Sequence, residues 1–146
     1  MKEKFITLIA LLTLCLPGKA QVTVTLNQLN GTVWKQIYPD TEDKPTTLSF
    51  SNTTAETTME FRKDDILKFQ QKYYLTDRIP SEFDFTSVGN KNSGTYLIIY
   101  NDKTRRVLTH KVISISDDTL KLHYLPIPGT IIGNKNGIDI IYKRVK

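Results

Sequence analysis

The chain has little of what disulfide, thiol or metal chemistry requires. Cys15 is its only cysteine, and it has two histidines and one tryptophan among 146 residues. One cysteine forms no intramolecular disulfide, and two histidines make an incomplete metal site unless carboxylates join them. The composition therefore excludes a disulfide-stapled scaffold and leaves the fold to a hydrophobic core.

A hydrophobic run long enough to cross a membrane is also absent. The apolar stretch at residues 5–16 follows Lys2 and Lys4 and is followed by the small residues Gly18 and Ala20. A basic start, a short apolar segment and small residues at its end are typical of a secretory signal peptide. We predict a signal peptide at residues 1–20 and a single domain at residues 21–146.

Cys15 lies inside this leader and offers a second interpretation. Leu12, three residues earlier, fits the acylation signal of a bacterial lipoprotein, whereas Leu14 fills the position that normally takes a small residue. We expect an exported protein, periplasmic or extracellular, with lipid-mediated association with the outer membrane as the alternative. If cleavage follows Ala20, the mature chain has no cysteine.

Positive charge is not concentrated in any part of the chain. Removal of the leader takes away three lysines and one glutamate and lowers the formal net charge from +5 to +3. The charges that are left are interspersed in sign, which does not make the basic stripe that nucleic acid requires. We expect no nucleic-acid partner and no transmembrane segment.

The strongest structural signal is a run of three strand-like segments at residues 94–125. Only residues 101–103 and 117–118 interrupt it, which leaves no room for helical crossovers, so neighbouring strands must be antiparallel. A further strand is predicted at about residues 68–76. In total, eight to ten short strands with almost no helix predict an all-β fold, an antiparallel up-and-down barrel, with a β-sandwich as the alternative.

Two segments carry a resemblance to a known family. Residues 29–35, Leu-Asn-Gly-Thr-Val-Trp-Lys, resemble the opening strand of lipocalin-like domains, in which a glycine precedes a tryptophan that closes the bottom of the barrel. Residues 113–122 resemble a strand–turn–strand common in small secreted lipocalin-like proteins of Bacteroides-type bacteria. The resemblance implies a barrel that holds a small apolar molecule, and it implies no catalytic chemistry.

The residues expected to line the barrel interior are aromatic or aliphatic and lie on strand-like segments. They are Trp34, Tyr96, Ile98, Tyr100, Ile113, Ile115, Leu120, Leu122 and Tyr124. We expect no cofactor and no metal at these positions.

The tight turn at residues 117–118 sets a register for the two strands that carry the histidines. It places both His110 and His123 on the face that also carries Ser114 and Ser116, which we interpret as a solvated face and not as a metal site. In the same register Lys111 would point into the core. Either a β-bulge resets the alternation near Lys111, or the interior is polar near one mouth of the barrel.

No arrangement of residues in the sequence indicates catalysis. There is no Gly-x-Ser-x-Gly, no phosphate-binding loop, and no carboxylate pair whose spacing can be read from the sequence. We predict a binding protein and not an enzyme, with a small apolar or amphiphilic ligand in the barrel. The alternative is a fully packed barrel that docks on a protein or glycan at the cell envelope through residues 81–92.

Overall fold

Ten strands and two short helical turns make up the part of the chain that a computed structural model describes. That part comprises residues 20–41, 43–62, 64–127 and 135–146. Apart from Ala20, the predicted signal peptide, including Cys15, lies outside the described residues. Among the described residues, no helix combines the length and the apolar character needed to cross a membrane.

The elements alternate with short turns along the whole described chain. In order they are β1 (Val24–Thr25), α1 (Leu26–Leu29), β2 (Val33–Tyr38), β3 (Thr46–Phe50), β4 (Thr54–Arg62), β5 (Asp65–Thr76), a 3₁₀ helix (Phe85–Ser87), β6 (Ser93–Gly94), β7 (Tyr96–Asn101), β8 (Arg106–Ile115), β9 (Thr119–Leu125) and β10 (Ile138–Arg144).

Eight of these strands close into a barrel in the order β2-β3-β4-β5-β7-β8-β9-β10, and each is antiparallel to the next. Pairing of β10 with β2 closes the ring. The predicted all-β antiparallel barrel is confirmed, and the sandwich alternative is excluded. The three-stranded run at residues 94–125 is β7, β8 and β9, and the strand predicted at about residues 68–76 is the second part of β5.

The two ends of the barrel differ in how they are covered. At one end, called here the closed end, α1 meets the β3–β4 turn and the C-terminus, because Gly31 donates to the carbonyl of Phe50 and Val33 to that of Lys146. The opposite end, called the open end, carries the β2–β3 and β7–β8 connections at residues 39–45 and 102–105. Among the described residues, a helical segment covers the closed end of the core, and none covers the open end.

Trp34 lies in the floor of the barrel at the closed end. It is completely buried, and its Nε1–H donates to Oγ1 of Thr32 at 2.7 Å. The Thr32 hydroxyl in turn donates to the carbonyl of Leu29, the last residue of α1, and the guanidinium of Arg144 lies 5.7 Å from the centroid of the indole ring. This network fastens the helical cover to the barrel wall.

A second apolar cluster lies outside the barrel. Residues 77–92 cross the outer face of β5 and β7 and insert Phe83 between Tyr74 and Tyr100, with ring centroids 5.0 Å and 5.1 Å apart. Asp84 begins the 3₁₀ helix by accepting from the backbone N–H of Thr86. This segment therefore covers the outer wall around Tyr74 and Ile98, which are buried.

Candidate binding site

The inner face of the barrel is filled by its own side chains near the closed end. Tyr142, which is 7 % exposed, and the partly buried Ile115 complete a hydrophobic cluster in which eleven inward residues are at most 4 % exposed. The eleven are Trp34, Leu48, Phe50, Ala55, Tyr73, Leu75, Leu97, Ile99, Val112, Leu120 and Leu122. Such near-complete burial indicates the close packing of an ordinary protein core.

The inner face is only half-buried toward the open end. Thr57 pairs with both Leu48 and Phe69, so strand alternation turns all three side chains inward. Leu108 and Ile140 pack against the edge of the core cluster and stay partly exposed. We call these half-buried inner positions (Thr57, Phe69, Leu108, Tyr124 and Ile140) the mouth, because solvent reaches them through the open end.

Polar side chains mark the boundary between the mouth and the packed core. Thr46 and Gln71 are 7 % exposed and His110 is 8 % exposed. The Thr46 hydroxyl donates to the carbonyl of Lys44, whereas Nδ1 of His110 is buried and has no hydrogen-bond partner. A buried polar atom without a partner costs free energy, and a hydrogen bond from a ligand would recover this cost. Because the accessible area of this nitrogen is below 1 Å², a ligand would reach it only if neighbouring side chains moved.

His110 reaches the interior because β8 contains a β-bulge. The register shifts between Val112 and Ser114, so His110 pairs with Leu97 on one side and with Tyr124 on the other. The rings of His110 and Tyr124 are 5.4 Å apart. Burial lowers the pKa of His110 from 6.5 to about 4, which leaves the imidazole neutral at pH 7 with one donor and one acceptor nitrogen.

The bulge was one of the two alternatives that the sequence left open, and the structure places it two residues beyond Lys111. Lys111 consequently pairs with His123 and Tyr96 on the outer face. The expectation that His110 faces solvent is wrong, since it rested on an unbroken register. Ile113 is the bulged residue and is half-buried, outside the regular alternation that would line the interior.

Five of the predicted lining residues lie on the inner face, although not all in one place. Trp34, Leu120 and Leu122 belong to the packed core, and Ile115 packs against it. Only Tyr124 lies in the mouth. Most of the predicted lining residues on the inner face therefore belong to the packed core or pack against it, where there is no room for a ligand.

Three predicted lining residues, Tyr96, Ile98 and Tyr100, lie on the outer face, so their assignment to the interior is corrected. The inner residues of β7 are Leu97 and Ile99, while Ile98 packs in the outer cluster with Tyr96 and Tyr100 against it. All five consecutive side chains from 96 to 100 are apolar or aromatic, so the sequence of β7 gives no indication of which alternate set faces inward.

Most of the residues at the mouth were not predicted from the sequence. His110 was assigned to the wrong face, and Gln71, Leu108 and Ile140 were not singled out. The bulge explains why alternation counted from the β8–β9 turn puts His110 on the outer face and fails to identify Leu108 as an inner residue. Gln71 alternates with Tyr73 and Leu75 on β5. This pattern could have identified it as a polar side chain on an apolar inner face.

His123 forms a separate cluster on the outside of the barrel. Its Nδ1 lies 2.6 Å from Oδ1 of Asp139, its Nε2 lies 2.9 Å from the carbonyl oxygen of Asn136, and Nζ of Lys121 lies 2.9 Å from Oδ2 of Asp139. The hydrogen bonds from His123 and then from Lys121 lower the pKa of the Asp139 carboxyl. These residues and Tyr38 border a cleft of about 590 Å³.

This outer cluster connects β9 and β10 through side-chain hydrogen bonds and an ion pair. Both ring nitrogens of His123 lie at hydrogen-bond distance from neighbouring oxygens, which leaves neither open to a metal ion. Within the described ranges, no group of three or more histidine, cysteine, aspartate or glutamate side chains is placed to hold a metal. The mouth, with its unpartnered His110 nitrogen, is the better candidate for a functional site.

Comparison with known proteins identifies no relative: no protein-family model, no curated protein and no solved structure matches the chain. The functional argument therefore rests on the geometry of the mouth.

Proposed function

We propose that the protein binds a small apolar or amphiphilic molecule in the mouth of the barrel. The observation that carries this proposal is the contrast along the inner face. Near Trp34 most inward side chains are at most 4 % exposed, whereas the inward residues of the mouth are half-buried. A concave, mostly apolar surface with a few polar groups at its base is typical of small-molecule sites.

The chemistry of the mouth defines the class of ligand. Phe69, Leu108 and Ile140 offer apolar contact, and His110 and Gln71 lie at the base with the ability to hydrogen-bond. A ligand with an apolar body and one polar group that pairs with Nδ1 of His110 satisfies both parts. The neutral imidazole accepts or donates according to its tautomer, so the polar group need not be charged.

The rim of the mouth adds a cationic group. Nζ of Lys103, in the β7–β8 connection, lies 5.4 Å from the centroid of the Phe69 ring. A lysine stem lying over an aromatic ring covers apolar surface and keeps its charge near water. Lys103 would have to move aside for a ligand to enter. This movement costs little free energy because the lysine side chain is exposed.

The proposal is tested with two adjacent threonines of β4 that face opposite sides of the wall. Thr57 points into the mouth, and Thr58, paired with Thr47 and Lys68, points outward. With the neutral apolar dye N-phenyl-1-naphthylamine as probe, the native protein is expected to enhance dye fluorescence in a saturable way. Thr57→Trp should weaken binding at least about tenfold, a loss of roughly 1.4 kcal/mol, and Thr58→Trp should leave it unchanged.

Two results would count against the proposal. One is a folded native protein that gives no saturable dye signal. The other is equal binding by the two tryptophan variants, which would move the dye site away from the mouth.

A second candidate function is docking on a protein or glycan at the cell envelope through residues 81–92. The observation that favours it is the exposure of Phe85, whose side chain is 52 % exposed at the edge of the outer aromatic cluster. The centroid of its ring lies 5.1 Å from that of Tyr100. An exposed aromatic ring on a well-packed segment is typical of an anchor for a partner. Phe85→Ala should abolish co-sedimentation with isolated cell envelopes and leave dye binding intact; unchanged co-sedimentation would exclude this role.

A further inference from the structure

A cleft of about 460 Å³ lies on the outside of the barrel, between residues 79–81 and the outer face of β8 and β9. Val107 and Thr109 border it, and both alternate along β8 with Leu108, which points into the mouth. The cleft is thus on the outer side of the wall at Val107 and Thr109, although Arg106, which pairs with Asn101 in the same alternation as Leu108, lies at the rim between the cleft and the mouth. Its volume lies in the range of roughly 300–1,000 Å³ that is usual for small-molecule sites.

Apolar side chains form the two sides of this cleft. Ile79 and Pro80 border one side, and Val107 and Leu125 border the other. Ile79 is 55 % exposed, although the same segment buries Phe83 in the outer aromatic cluster. The segment thus holds an aliphatic side chain in water directly at the cleft, where a ligand would cover it.

Two arginines border the same cleft, and none of the described residues that border it is acidic. Arg105 and Arg106 make no ion pair with the described residues, and no hydrogen bond of their side chains is found there. Arg105 has φ +52, and the turn before it is fixed because Oδ1 of Asn101 accepts from the backbone N–H groups of Lys103 and Thr104. The positive charge at the cleft is therefore attached to an ordered turn, and no carboxylate of the described residues forms an ion pair with it.

We propose that this arginine cleft binds a fatty acid through its carboxylate and the adjoining part of its single acyl chain. Guanidinium groups pair with carboxylates in a bidentate, charge-assisted geometry, which Arg105 and Arg106 can provide at one side of the cleft. Ile79, Pro80, Val107 and Leu125 then cover the methylenes beside the headgroup. The inference does not rest on the proposed function, because Val107 and Leu125 lie on the outer side of the wall and report on the cleft separately from Leu108 and Ile140 in the mouth.

The test uses decanoate as probe and methyl-resolved NMR of the full mature protein. Decanoate is expected to shift the methyl signals of Ile79, Val107 and Leu125 in a saturable way. Arg105→Gln/Arg106→Gln should weaken this binding at least about tenfold. A control with the same loss of charge elsewhere, Lys91→Gln/Lys143→Gln, should bind as the native protein does, and decanol should bind at least about tenfold more weakly than decanoate.

Three results would overturn the inference. Decanol that binds as well as decanoate would show a purely apolar contact. Equal binding by the two double variants would show that the arginines do not recognise the carboxylate. Shifts confined to the methyl groups of Leu108 and Ile140 would place the fatty acid in the mouth and leave the arginine cleft without a ligand.

Discussion

His110 and His123 belong to neighbouring strands, yet their side chains lie on opposite sides of the barrel wall. His110 pairs with Tyr124 inside, and His123 pairs with Lys111 outside, because the bulge between Val112 and Ser114 shifts the register of β8 against β9. One bulged residue therefore separates two histidines that a regular hairpin would bring together. The inner one has an unpartnered nitrogen, and the outer one is held by Asp139 and Asn136.

The buried His110 predicts a loss of stability in weak acid. Its folded pKa of about 4 lies below the ordinary value of 6.5, so between these values the unfolded chain binds more protons than the folded one. The free energy of unfolding should therefore fall from pH 6.5 down to about pH 4, by on the order of 3 kcal/mol, and this contribution should not change further below that pH.

Urea unfolding at a series of pH values checks this expectation. His110→Leu should remove the decline between pH 6.5 and 4, and it also removes an unpaired polar atom from the interior. His123→Gln, on the outer face, serves as the control and should retain the decline. Asp84, Asp118 and Asp139 have lowered pKa values, so the stability they contribute is lost only below their ordinary value of 3.8. An unchanged decline in His110→Leu would contradict the assignment.

Trp34→Ala should be among the most destabilising single substitutions in the barrel. The indole ring is completely buried and donates to Thr32, so its removal leaves a large void at the closed end and takes away the donor to Oγ1 of Thr32. We expect a loss of about 3–5 kcal/mol in the free energy of unfolding, measured by urea titration. Trp34→Phe should cost less, and a loss below about 1 kcal/mol for the alanine variant would show that the ring does not close this end.

Gly94 and Gly31 form a matched pair for a test of backbone packing. A Cβ on Gly94 would lie 2.2 Å from the backbone nitrogen of Thr76, whereas a Cβ on Gly31 would meet nothing within 4 Å. Gly31→Ala should therefore cost only the strain of its φ of +76, about 1–2 kcal/mol. Gly94→Ala should cost clearly more, because β6 would have to separate from the end of β5. Equal melting temperatures of the two variants would contradict this close approach.

The fold was largely predictable from the sequence, because it depends on features that local patterns carry. Short breaks at residues 101–103 and 117–118 permit only antiparallel neighbours, and the hairpin order along the chain favours closure. α1 was not predicted. The alternation of Val22, Val24 and Leu26 indicates a strand at residues 21–26, but the capping box of Thr25 and Gln28 begins a helix at Leu26.

The binding site was less predictable, because it depends on the phase of each strand. Lys111 indicated a bulge in β8, but its position two residues further on, which decides that His110 points inward, is not encoded in any local pattern. On β7 the apolar run from Tyr96 to Tyr100 has no alternation at all. Only the pairing with β5, where Leu75 faces Leu97, fixes which side chains of β7 reach the interior.

Native mass spectrometry of the mature protein, purified from the cells that produce it, tests the central claim most directly. The account predicts a co-purifying small molecule that is present in the native protein and in Thr58→Trp and is lost from Thr57→Trp. Bare protein in all three samples, together with an absence of saturable dye binding, would contradict a ligand in the mouth and favour a barrel that works through its outer surface.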